Sequence, residues 1–326
     1  RDLLCHRVGL GTFSGDVTAA VEGLGIAQDL VGALAIAGSA DLVASGDITL
    51  ANAANDFESV AGTAANLTLR DVDALDLAGV NAGAGAGALS LTTGGDLTDS
   101  AANSAGALTL AVTGAATLDA ANDFESVAGT AANLTLNDIG ALDLGALTIA
   151  NNLSVTALNG DITDSGVITV GGNTVLSVPA ANSILLDEAN TFTGGVTLPA
   201  AFHSLTLHDV TPLAIGALDL TGDLDLTTDG ALLNQTDFWS VDGNVTLEAT
   251  SGGIFVGWAQ NHLNNLTAHA DGNIQLVNQD DLVVHSAVSD NGGIIEILSG
   301  DGTLTTDGDV SAPHGSVVLT GVNGLF

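Results

Sequence analysis

The sequence predicts an all-β chain, a right-handed single-stranded parallel β-helix with about 22 residues per turn. Three observations carry this. The stretch 53–77 (AANDFESVAGTAANLTLRDVDALDL) recurs at 120–144, with changes only at Arg70/Asn137, Val72/Ile139 and Asp73/Gly140. A third, eroded copy starts at Ala189 and returns at SLTLHDV and GALDL. Duplication at a fixed period marks a stacked-repeat architecture. Apolar and polar residues also alternate in short runs, the pattern of strands with one buried face. Finally, Phe13, Phe57, Phe124, Phe192 and Phe238 recur at regular intervals. The intervals are near two, three, three and two multiples of about 22, the length of a coil holding three short strands.

Within the repeat, Leu67, Leu69, Leu75 and Leu77 point inward, as do their copies Leu134, Leu136, Leu142 and Leu144. Thr68 and Asp76 point outward. The stretch 70–73 is too short for a helix and rich in turn formers, so it reads as a corner. The phenylalanines are expected to stack in one interior column; the other use for them is to fill separate local gaps.

Taken in order, residues 1–10 (RDLLCHRVGL) do not fit the repeat and read as an edge or cap segment. Residues 11–326 read as one continuous β-helix, regular over 11–233 and more divergent over 234–326. Glycine corners followed by alternating strands recur throughout. A second family sets Gly-Asp or Gly-Asn before an apolar residue, at Asp96, Asp161, Asp223, Asn244, Asn273 and Asp309. It marks the entry of a turn into a strand. Residues 82–88 (AGAGAGA) fit either a wide corner or a closely packed sheet.

Composition narrows the function. There are 38 acidic residues, three arginines (Arg1, Arg7, Arg70) and no lysine, for a net charge of −35. Phosphate recognition needs a basic face, so nucleic acid is excluded as a partner. Anionic membrane surfaces are disfavoured for the same reason. The best apolar run, 30–38, is well short of a bilayer span, which needs about 20 residues. No membrane insertion is expected. The charge serves solubility and guards exposed strands; cation binding or a salty medium is the functional alternative. Cys5 is the single cysteine, so no internal disulfide is available. No signal peptide is visible at the start, and the segment reads as mature or excised sequence.

The residues of ANDFESVAGTAANLTLNDIGALDLGALTIANNLSVTALNGDITDSG and TGDLDLTTDGALLNQ resemble the repeat region of filamentous haemagglutinin-like exoproteins and giant autotransporter adhesins of Gram-negative bacteria. The resemblance covers most of residues 11–320. It implies a right-handed β-helix shaft secreted to the cell surface, with a host or cell-surface ligand as partner; the sparse catalytic signals below make an enzyme unexpected. Neither that family's Asn-Pro-rich secretion domain nor a terminal barrel is visible.

Chemistry is sparsely signalled. A polygalacturonase-like hydrolase is the alternative function, since β-helices host such enzymes and need two nearby carboxylates. Gln279-Asp280-Asp281 and Pro313-His314-Gly315 resemble its elements, but Asn190-Thr191 is followed by Phe192 where that pattern has Asp. Lyases of this fold need basic residues, and this chain has no lysine and a single arginine beyond residue 7. His262 and His285, about one turn apart in sequence, are placed to stack and share a metal; surface histidines are the plainer reading, as for His203 and His208. Residues 94–99 (GGDLTD) are similar to calcium-loop sequence without iterating it, so no cofactor is expected beyond incidental calcium. Thr68, Thr135, Thr206 and Thr246 sit in like units, but strict Thr-x-Thr pairs on successive turns are missing. Trp239 and Trp258 offer either sugar stacking or core filling. Open turns at the ends of a β-helix are templates for pairing. Val317, Val318, Leu319, Leu325 and Phe326 form an apolar end, and Arg1 and Arg7 a cationic one. Two readings of these ends stand side by side: head-to-tail self-association into filaments, or an artificial end left by a cut through a longer shaft.

Overall fold

The computed structural model describes residues 6–8, 11–21, 25–28, 32–230 and 237–326. Arg1, Cys5 and the side chain of Arg7 lie outside the described residues. Among those described, every regular element is a strand except one 3-10 turn, Gly83–Gly85. The described strands pair in parallel from turn to turn, the arrangement of a β-solenoid. The chain divides into two compact units, one of residues 1–160 with 169–171 and the other of 161–168 with 172–326.

In the first unit the strands stack in register, leucine on leucine. One interior column runs Ile26, Ile48, Leu67, Leu89, Leu108, Val127 and Leu144. A second runs Leu75, Leu97, Ala116, Leu134 and Leu153. All of these side chains are buried. The step from Leu67 to Leu89 is among the longest and that from Val127 to Leu144 is the shortest, so turns are shorter on average than the phenylalanine spacing suggests. Each fully buried leucine contributes about 1.5–3 kcal/mol.

These columns correct the expectation that the interval from Leu67 to its copy Leu134 is a whole number of turns. Leu134 belongs to the column of Leu75, three turns beyond it, and not to the column of Leu67. Leu75 itself opens the strand after that of Leu67, one side of the coil further on. The repeat therefore advances by three turns and one side. Near-identical sequences face different directions in the two copies.

The second unit builds its own columns. Ile162, Ile184, Leu205, Leu224, Val245, Leu266 and Val284 pair in succession, all of them buried. A separate four-stranded sheet carries Ile254, Ile274, Ile295 and Val317 in register.

The phenylalanines do not form one column. Phe13 and Phe57 do lie on one line two turns apart, with Ile36 between them, as their spacing predicts. Phe57, Phe124 and Phe192 are buried, whereas Phe13 is 40% and Phe238 39% exposed. Trp239 takes the interior place next to Phe238, paired with Leu218 and sealed by its Nε1–H donating to Gly216 O at 2.8 Å. Alternation admits only one of two adjacent residues to the core, and the larger ring is the one inside.

Glycine is required where turns approach most closely. Gly62 and Gly129 hold φ of +135° and +121°, and a Cβ there would lie 1.8 Å from Leu42 O and 1.9 Å from Leu110 O. They follow the buried Phe57 and Phe124 in the duplicated VAGT segment, so each copy keeps this tight approach.

Candidate functional site: polar ladders between turns

The polar residues that repeat in the sequence act on the neighbouring turn. Period two runs one step further than the leucines: Leu67, Leu69 and Asp71 all point inward, as do Leu134, Leu136, Asp138 and Leu205, Leu207, Asp209. The three aspartates are buried, and each accepts from the backbone N–H of the phenylalanine before it. Phe57 N donates to Asp71 Oδ1 at 2.7 Å, Phe124 N to Asp138 Oδ2 at 2.7 Å, and Phe192 N to Asp209 Oδ1 at 3.3 Å. Burial pushes all three carboxyls up, Asp71 to about 6, while the same N–H donors pull them down. Desolvation outweighs the hydrogen bonds.

Buried asparagines do the same work without charge. Asn122 Oδ1 accepts from Asn103 N at 2.8 Å, and its Nδ2–H donates to Asp99 Oδ2 at 2.7 Å. Asn190 accepts from Ile168 N and donates to Asp164. Asn55 accepts from Leu34 N, and Asn261 from Trp239 N. Each amide thus catches a corner N–H of another turn that would otherwise be buried without a partner.

The Gly-Asp family forms an outer ladder. Asp96 Oδ1 accepts from Ala115 N, Asp161 Oδ1 from Ser183 N, Asp223 Oδ1 from Asn244 N, and Asn273 Oδ1 from Ile294 N, at 2.7–2.8 Å. The carboxylates of residues 94–99 follow this pattern: Asp99 Oδ1 accepts from Asp119 N. The acidic composition is thus in part a means of fastening turn to turn, a use that a charge count does not reveal.

The eight leucines singled out in the repeat are buried. Thr68 and Thr135, alike in sequence, face different sides: Thr68 pairs with Ser90 and Thr135 with Thr117. His262 and His285 do not stack on one another. His262 Nδ1 bonds Asp280, and His285 Nδ1 bonds Asp307 Oδ1 at 2.8 Å. Among the described residues no cluster of three or more His, Cys, Asp or Glu is arranged to hold a metal ion. Asp281 Oδ1 accepts from Thr303 N and so belongs to the outer ladder. Trp258 is 39% exposed. A cleft of about 500 Å³ in the second unit is lined by Val196, Leu198 and Ile215 with small neighbours and has no ionisable side chain. At the last strand, Ser316–Gly321, Val317 and Val318 are exposed, as are Leu325 and Phe326 beyond it, while Leu319 is half-buried. No helix among the described residues is long and apolar enough to cross a membrane.

The model of one family, repeats of unknown function (DUF5649), matches residues 6–64, 64–131, 131–199 and 203–270. The chain belongs to the DUF5649 family. Two of the boundaries between DUF5649 matches, at 64 and 131, are separated by the same interval as Ala53 and Ala120, where the two copies of the duplication begin. The DUF5649 repeats extend to both sides of the near-identical pair and continue past Leu233, where the sequence texture changes. No curated protein and no solved structure matches the chain.

Proposed function

We propose that the chain is a non-enzymatic structural solenoid, the shaft of a bacterial surface adhesin or fibre, working outside the cell of a Gram-negative organism. The observation behind this reading is the use made of its polar groups. The repeated Asp and Asn side chains are engaged with backbone N–H groups of other turns, which stiffens a stack and leaves few groups for chemistry. The resemblance to haemagglutinin-like and autotransporter repeats supplies the extracellular setting. Nucleic acid and the bilayer interior are not its partners, no cofactor is needed, and calcium binds only incidentally. The free edge of Ser316–Gly321 offers a strand template, on which a second copy or further repeats would add head to tail. A host or cell-surface molecule is the ligand of the whole fibre.

Antibodies raised against the chain test this on the source organism. They are expected to label intact cells as strongly as permeabilised ones. Labelling confined to permeabilised cells would contradict the extracellular role. Release of reducing ends from pectin-like polymers, abolished by Asp280→Asn, would replace the structural reading with a hydrolase.

A further inference from the structure

Residues 161–168 and 172–326, the second unit, carry more than half of the chain's 38 acidic residues and no lysine or arginine. Histidine is the one side chain there able to supply positive charge. Three histidines each meet a carboxylate one turn further on. His262 Nδ1 contacts Asp280; His269 Nε2 lies 2.9 Å from Asp290 Oδ2; His285 Nδ1 lies 2.8 Å from Asp307 Oδ1. His269 also faces the turn before, its Nδ1 3.6 Å from Glu248 Oε1, with which it pairs in register. The nearby Asp271 is occupied by Asn291. All three imidazoles are about half exposed.

We propose that His269, flanked by the hydrogen-bonded His262 and His285, forms an acid-operated clamp between successive turns of the second unit. Protonation of His269 converts its contacts to Asp290 and Glu248 into ion pairs that tie it to the turns on both sides and offset repulsion among the carboxylates. Loss of the proton leaves hydrogen bonds alone and slackens the stack. The hydrogen bond to Asp290, aided by both acids' charge against a smaller opposing effect of burial, holds His269 above its usual value. A group raised in the fold stabilises fully below its unfolded value, about 6.5 for histidine, and loses that effect as pH rises through the folded value. His269 therefore holds the clamp closed in mild acid and releases it towards pH ~8.

Hydrogen exchange on the full chain tests the clamp. After correction for intrinsic rates, amides of His262–Ala270 and Leu282–Ser289 should be roughly threefold better protected at pH ~5.5 than at pH ~8, the scale expected of an exposed ion pair. The variant His262→Asn/His269→Asn/His285→Asn should lose that difference. His203→Asn, whose ring meets Thr221 Oγ1, should keep it. Proton NMR of the unaltered chain gives an independent reading, with His269 titrating above about 6.5. A difference in protection that survives in the triple variant, or a His269 midpoint below that value, would overturn the proposal.

Discussion

Asp71 shows how one residue is committed to the fold. The residue is 2% exposed, and its carboxylate accepts from Phe57 N and Asp73 N, at 2.7 and 3.1 Å. Burial pushes its pKa to about 6, well above the ordinary 3.8. Because the folded value is the higher one, ionisation works against the fold. Stability is lowest above pH 6 and is regained as pH falls through 6 towards 3.8. Carbon-detected NMR should place the Asp71 carboxyl midpoint near pH 6; a midpoint at or below about 4 would show that the N–H donors outweigh burial. The inward direction of Asp71 was legible, since alternation from Leu67 and Leu69 carries on to it. It was obscured by the corner composition of the stretch 70–73. Period and propensity disagreed there, and period won.

At the scale of the strand, alternation predicted the buried leucines but not the side of the coil on which each strand lies. Corners vary in length, so the short turn from Val127 to Leu144 stacks as well as the longer one from Leu67 to Leu89, and spacing along the sequence does not set the side. Phe238 and Trp239 show the same limit: alternation admits only one of two neighbours to the core, and Trp239 is the one inside. What fixes the corners is the asparagine ladder, whose members look in sequence like ordinary turn residues. Asn122→Ala removes the acceptor for Asn103 N and the donor to Asp99 together. Urea unfolding should show a loss of about 2–4 kcal/mol, the cost of leaving buried polar groups unpaired. The exposed Asn66→Ala, which gives up bonds to Asp47 and Ala88 N, should cost less than about 1 kcal/mol. Equal losses would deny the buried ladder its special role.

For the whole molecule, the governing quantities are the net charge of −35 and the advance of the repeat. Carboxylates on successive turns lie about 4.8 Å apart along a column, within a Debye length at ordinary ionic strength. Melting temperature should therefore rise by several degrees between about 10 mM and 1 M sodium chloride. No change over that range would mean that the charges are too far apart, or too well bonded, to repel. The repeat architecture was legible from the duplication alone, whereas its pitch was not, because the interval between the copies divides as readily into three equal turns as into three turns and one side. Cysteine cross-linking tests this central claim. In a Cys5→Ser background, Thr117→Cys with Thr135→Cys should form a disulfide readily, since the two residues pair in register on adjacent turns. Thr113→Cys with Thr135→Cys, the pair that an unvarying turn of about 22 residues would align, should not. A result in which that second pair cross-links while the first does not would contradict the account.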